Sequence, residues 1–334
     1  MSKTIDAWTH IFPAAYFQKL QTVASASGPL KRWMSLKSLY DLDVRFDIMD
    51  RFEDYAQVLT PSMPPVEELG EAQEAADLAA MMNDGLADLV SRYPDRFPCF
   101  VGALSFLDAR LARREIERAT DLGAKGFQIC THVRGRPLDD PAFLPIFDAI
   151  AEANVPIWLH PVRGPVPDYP ALRKSKYEVW WCFGWPYESA VAMSHLVFSG
   201  LFDRHPGLRI ITHHLGAMIP YFAGRIEQGW DLEMSSRTPP ADADLLPVPL
   251  KRKPSDYFKM FYADTALSGS AGATRCGLDY FGGKQVLFAS DFPFDVEGGA
   301  YLVRETLRAI DELNLAPIER GDILEGNLRR FIAP

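Results

Sequence analysis

Val286-Leu287-Phe288-Ala289-Ser290-Asp291-Phe292-Pro293-Phe294 is the stretch that decides the fold. Its first five residues are apolar or small and read as a buried strand. Asp291 falls at that strand's C-terminal tip, and the proline beyond it stops the strand. A carboxylate there is costly to bury unless something positive meets it. Working outward, the same pattern recurs with histidine. Thr4-Ile5-Asp6-Ala7-Trp8-Thr9-His10 reads as the first strand, Val155-Pro156-Ile157-Trp158-Leu159-His160-Pro161 as a middle one, and Leu208-Arg209-Ile210-Ile211-Thr212-His213-His214 as a later one. Histidines and one late aspartate, each ending a hydrophobic strand, predict a metal site at the mouth of a barrel.

The rest of the chain fits that architecture. Further apolar runs are predicted as strands at Ala56–Thr60, Cys99–Leu104, Gly126–Ile129 and Phe261–Ala263. Helical periodicity runs between them, over Glu71–Ser91, Ala109–Leu122, Pro141–Ala153, Glu188–Phe202, Met218–Glu233 and Gly299–Leu313. Eight strands alternating with helices argue an α/β fold, a (β/α)8 TIM barrel spanning 1–334 as one domain. Two segments break the rhythm, the aromatic and basic Arg163–Pro186 and the proline-rich Ser235–Pro254. They read as inserted loops on the C-terminal face, acting as lids or subunit contacts.

Composition narrows the partners. The 334 residues carry a net charge of −9, which repels nucleic acid and anionic membranes. No apolar run is long enough to span a membrane, and the N-terminus leads straight into a strand without a signal-peptide stretch. Cys99, Cys130, Cys182 and Cys276 are far apart, as expected of reduced thiols in a cytoplasmic protein. Long, partly apolar loops on a barrel rim predict a homodimer or a tetramer.

Zinc or manganese needs about four nitrogen and oxygen ligands with one position open for chemistry. His10, His160 and Asp291 supply three, and a bound divalent ion would keep Asp291 ionised in a dry site. Because adjacent strand residues point to opposite sides, only one of His213 and His214 is expected to face the mouth.

The order of these pieces resembles the amidohydrolase superfamily, and within it the amidohydrolase-2 group of aminocarboxymuconate semialdehyde and γ-resorcylate decarboxylases. Ile5-Asp6-Ala7-Trp8-Thr9-His10, Gly126-Phe127-Gln128-Ile129, Leu159-His160-Pro161, His214-Leu215-Gly216, Gly224-Arg225-Ile226 and Ser290-Asp291-Phe292-Pro293 carry the resemblance. It implies that His10, His160 and Asp291 bind the metal. It also implies that His214, matched by its offsets to Gly216, Pro220 and Arg225, handles water or the substrate proton. His213 is then left structural. The group's strand-one motif is D-x-H-x-H, and Trp8 stands at its first histidine, where no ligation is possible. Trp8 is therefore expected to wall the pocket and stack on a planar substrate. Arg32, His132 and Arg163 are expected to bind substrate, Arg45 to be structural, and Asp264 either to orient a ligand or a histidine or to make a structural hydrogen bond to Thr265.

The resemblance implies a non-oxidative decarboxylase of an aromatic or unsaturated carboxylic acid, with His214 and Asp291 catalytic. The alternatives are a lactonase-like hydrolase, with or without metal, a hydratase, and a ligand-binding barrel that has lost catalysis.

Overall fold

The computed structural model describes residues 3–23, 28–233 and 248–333. Each apolar run becomes a parallel strand: β1 Thr4–Ile11, β2 Tyr55–Pro61, β3 Gly102–Ala103, β4 Phe127–Cys130, β5 Ile157–His160, β6 Ile210–Thr212, β7 Tyr262–Asp264 and β8 Val286–Leu287. β1 pairs with β2, and β3 to β8 form one sheet in chain order. Isolated parallel bridges at Leu59–Phe100 and Thr9–Phe292 join the two sheets on both sides and complete the ring. A short antiparallel ribbon, His132–Val133 with Arg136–Pro137, follows β4.

Alternation along the strands makes two cores. One set of positions, with Leu59, Ile157, Leu159 and Ile210, packs against the helices. The other set, Ile5, Val58, Val101, Trp158, Ile211, Leu287 and Ala289, fills the interior together with Leu328 and Phe331 of the last helix. Helix Ala72–Arg92 shows why the outer ring forms. Glu71 and Glu74 make a capping box at its start, and Ala75, Leu78, Ala79, Met82, Leu86 and Leu89 bury one face. Each of the larger side chains contributes roughly 1.5–3 kcal/mol by that burial. Gly85 lets this helix approach the segment after β1, since a Cβ there would lie 2.4 Å from Pro13 Cβ.

Several predicted helices shift. The one expected over Glu188–Phe202 runs from Gly184 to Phe198 and breaks at Gly200, whose φ is +76°, before a short turn Leu201–Arg204. The one expected from Met218 begins at Ala223 and ends as a π-helical stretch, Glu227–Glu233. The Arg163–Pro186 segment holds a helical turn, Val179–Cys182. Of Ser235–Pro254, positions 235–247 lie outside the described residues. No described helix is long and apolar enough to cross a membrane.

Buried polar groups brace the mouth. Arg45 is fully buried, and its guanidinium donates to Gln57 Oε1 at 2.7 Å, the His10 carbonyl at 2.8 Å, the Ser38 carbonyl at 3.2 Å and Thr9 Oγ1 at 2.9 Å. It is structural, as expected, and it fixes the backbone on which His10 stands. Asp6 ties the first strand to the last: it accepts from Ser290 N at 3.1 Å, from the Ser290 hydroxyl and from Tyr55 Oη at 2.6 Å. Burial outweighs these bonds and pushes the Asp6 carboxyl up to about 6.

Candidate active site

The inward face of each strand continues into the mouth. On β5 the buried Trp158 is followed two residues later by His160. On β6 Ile211 is followed by His213, on β7 Tyr262 by Asp264, and after β8 Ala289 by Asp291. Counting from these interior residues, the inward histidine of the later pair is His213. The expectation that only one of His213 and His214 faces the mouth fails, because both reach the same donor group. His214 reaches the same space by another route. Its φ is +56°, so the chain has left the strand and the alternation rule no longer applies. Asp291 also sits at positive φ, +67°, which turns its carboxylate across the mouth.

Three imidazoles are pinned in one sense. His10 Nδ1 lies 2.7 Å from the Pro61 carbonyl, and His160 Nδ1 lies 2.7 Å from the Pro161 carbonyl. His213 Nδ1 is bound to a carboxylate oxygen of Asp264. Carbonyl and carboxylate oxygens only accept, so each Nδ1 carries the hydrogen and each Nε2 turns into the site. Asp264 is itself held by Leu215 N at 3.1 Å and Ala266 N at 3.0 Å, while Thr265 bonds elsewhere, to Ala289. Asp264 thus orients a histidine, as one of the two expectations had it.

The donors form two overlapping groups. His10, His160 and His213 each place one nitrogen within 4.8 Å of the others, and so do His213, His214 and Asp291 with one atom each. Asp291 Oδ1 is 3.3 Å from both His10 Nε2 and His213 Nε2, and its Oδ2 is 3.7 Å from His214 Nε2. His10 Nε2, His213 Nε2 and His214 Nδ1 are buried without a hydrogen-bond partner. Buried, unpartnered imidazole nitrogens around an ionised carboxylate suit one divalent cation.

The electrostatics of Asp291 and His160 agree with that use. Burial alone would raise Asp291, but the charge of His213 and the close approach of His10, His213 and His214 hold its carboxyl well below the usual carboxylate range. Burial, reinforced by His10 and His213, pushes His160 well down, so it stays neutral. Burial also lowers His214, beside His213. For His213 burial acts downward and is outweighed by Asp264 and Asp291, which lift it to about 10.

The other expected site residues divide. Trp8 does not offer a face to substrate. The indole is fully buried, stacks on His213 and donates from Nε1 to Gln128 Oε1 at 3.1 Å. A residue with no exposed surface cannot stack on a ligand, which corrects that expectation. Arg32 forms a two-bond pair with Glu178 at 3.1 and 3.2 Å, with both side chains about half exposed. Arg163 pairs with Glu188 at 2.5 Å. A substrate carboxylate would compete with these partners for either arginine. His132 sits in the ribbon after β4 and accepts from Gly135 N at 3.1 Å. The aromatic segment does reach the donors: Trp185 sets its edge against His160, with ring centroids 5.9 Å apart, and bonds to the Arg163 carbonyl at 3.3 Å. Phe294 closes the other side, 5.2 Å from the His10 ring.

Comparison with known proteins bears on this arrangement. Residues 5–332 match the family model described as amidohydrolase. The chain is 29% identical to a 2-amino-3-carboxymuconate-6-semialdehyde decarboxylase of Dictyostelium discoideum over 88% of this chain and 77% of that one. It is 32% identical to a γ-resorcylate decarboxylase of Rhodococcus jostii over 84% and 87% of the two chains. The structure of a dihydroxybenzoic acid decarboxylase from Polaromonas sp., with bound manganese and the inhibitor 2-nitroresorcinol, superposes with a TM-score of 0.80. That pair is 26% identical over 99% of this chain and 97% of the other. Barrel, strand-tip donors and sequence therefore agree: the chain belongs to the amidohydrolase family, among its carboxy-lyases.

Proposed function

We propose that the protein is a metal-dependent, non-oxidative decarboxylase of an aromatic or unsaturated carboxylic acid. In this reading His10, His160 and Asp291 hold the ion and His214 delivers the proton. The observation that carries it is the set of buried, unpartnered imidazole nitrogens gathered about one ionised carboxylate. Manganese is favoured over zinc by the ion in the Polaromonas structure. When bound, the ion supplies a positive centre for the substrate carboxylate and a neighbouring substrate oxygen.

The chain's own residues do the rest. Trp185 and Phe294 wall the donors and keep bulk water away from the leaving carboxylate. His214 Nε2 gives a proton to the carbon that bears the carboxylate, forming a C–H bond. The bond from that carbon to the carboxylate then breaks, its electron pair restores the ring or diene, and carbon dioxide leaves. Burial holds His214 below its ordinary pKa, so its protonated form releases the proton readily. Asp291, 3.7 Å away, orients the imidazole and stabilises its protonated form by its negative charge, and a solvent proton restores that form after each turnover.

A small carboxylic acid is the only partner this site requires. The exposed aromatics Tyr169, Tyr177, Phe183 and Tyr187 support a homodimer or a tetramer built on the aromatic segment. The four unpaired cysteines support a cytoplasmic setting. We read 1–334 as one barrel domain. The test is a panel of hydroxybenzoates and muconate-like acids assayed in heavy water. The expected result is release of carbon dioxide, with one deuteron at the vacated carbon. Turnover of lactones, with no loss of carboxylate from any acid, would overturn the reading.

A further inference from the structure

His213 carries the strongest unassigned feature of the molecule. Its imidazole is buried, its Nδ1 is fixed by Asp264, and its Nε2 has no hydrogen-bond partner. His10 and His160 share that construction: Nδ1 on an acceptor oxygen, Nε2 inward. Sequence resemblance assigns metal binding to those two and nothing to His213.

We infer that His213 is a fourth protein ligand of the metal, occupying the coordination position that Trp8 cannot fill. The inference rests on the proposal that this site takes a divalent ion.

Three observations support it. The first is spacing. With ligand bonds of about 2.0–2.2 Å, adjacent ligand atoms of a tetrahedral site lie about 3.3–3.6 Å apart. His213 Nε2 and His10 Nε2 are each 3.3 Å from Asp291 Oδ1, and the nitrogens of His10, His160 and His213 fall within 4.8 Å of one another. The second is orientation. An imidazole whose Nδ1–H is held by a carboxylate has a fixed ring and a more basic Nε2, the arrangement found behind metal-bound histidines. The third is Trp8. Its indole lies on the His213 ring, centroids 4.1 Å apart and planes 24° apart, with its only polar atom turned away to Gln128. It fills the space beside the ion with carbon and backs the His213 ring. The missing donor of strand one is thereby replaced by a donor just after β6.

The test is metal binding rather than turnover. His213→Asn keeps a side-chain N–H for Asp264 while removing the Nε2 donor together with the ring that Trp8 packs on, so it perturbs the fold less than full truncation. His213→Ala is the second variant. Manganese and zinc affinities are measured by chelator competition, and imidazoles are counted by X-ray absorption on the loaded protein. The expected result is three imidazoles in the wild type and two in each variant, with affinity lowered by more than about 100-fold. That exceeds the ~10–100-fold expected for Asp264→Asn, which removes only the outer partner. The double variant Trp8→His, His213→Ala is expected to regain affinity over His213→Ala.

Affinity within about 3-fold of wild type in both His213 variants, or two imidazoles in the wild type, would overturn the inference. If His10→Ala and His160→Ala still lose the ion in that case, the metal reading stands and only the role of His213 falls. A wild-type protein that takes up neither ion would overturn both.

Discussion

Trp8 lies flat on His213, with ring centroids 4.1 Å apart and 24° between the planes, so the residue that departs from the strand-one motif touches an inward histidine directly. The contact has an energetic side. The indole is fully buried, so truncating it would leave a cavity beside His213. Trp8→Ala should lower stability by about 3–5 kcal/mol, as expected when a large buried aromatic is truncated. Denaturant titration at constant m-value checks this, and a loss below about 1 kcal/mol would mean that the mouth collapses around the gap.

His214→Ala should lower turnover by roughly 10²–10⁴-fold while leaving metal content unchanged, the usual scale for a lost proton donor. Steady-state kinetics with metal analysis on the same preparation reads both quantities. A loss of the ion in parallel would make His214 a ligand instead.

Arg45→Met removes the donor to Gln57, the His10 and Ser38 carbonyls and Thr9. Leaving those acceptors buried and unpaired should cost about 3–5 kcal/mol. Thermal unfolding followed by calorimetry measures the loss. An unchanged unfolding temperature would show that water enters to replace the guanidinium.

Glu67 gives a pH-dependent prediction away from the metal donors. Burial pushes its carboxyl up to about 7, against the bond it accepts from Phe106 N at 3.0 Å. A group raised in the folded state favours folding in its protonated form. Its contribution is complete below the unfolded value near 4.5 and fades as pH rises through about 7. Wild type should therefore lose roughly 2–3 kcal/mol across that window relative to Glu67→Gln, whose amide oxygen keeps the Phe106 bond. Parallel unfolding curves for the two proteins at pH 5 and pH 8 would contradict this.

The barrel was legible because its strands are short apolar runs closed by glycine, proline or polar residues. All eight predicted runs overlap a parallel strand within a few positions. His10, His160 and Asp291 were legible as strand-tip donors for the same reason. The choice between His213 and His214 was harder. Alternation forbids two neighbours on one face only while the backbone stays extended, and nothing local marks the turn at His214. Matching Ile211–His213 to Trp158–His160 is the signal that identifies the inward histidine. Trp8 was misjudged because a side chain's type does not say whether it faces the cavity or lies beneath it. The helix boundary near Gly184 depends on packing against the turn Val179–Cys182, which periodicity does not contain.

The bonds from Asp6 to Ser290 span 284 positions, and the donors they flank come from both ends of the chain. Such contacts form only after a very long loop has closed, an entropic cost that slows assembly. A chain still emerging from the ribosome, or one whose last strand has peeled away, therefore cannot assemble these donors. Catalytic competence in this protein thus requires both ends of the chain to be joined, and a cation that bound only the closed ring would favour it over opened forms.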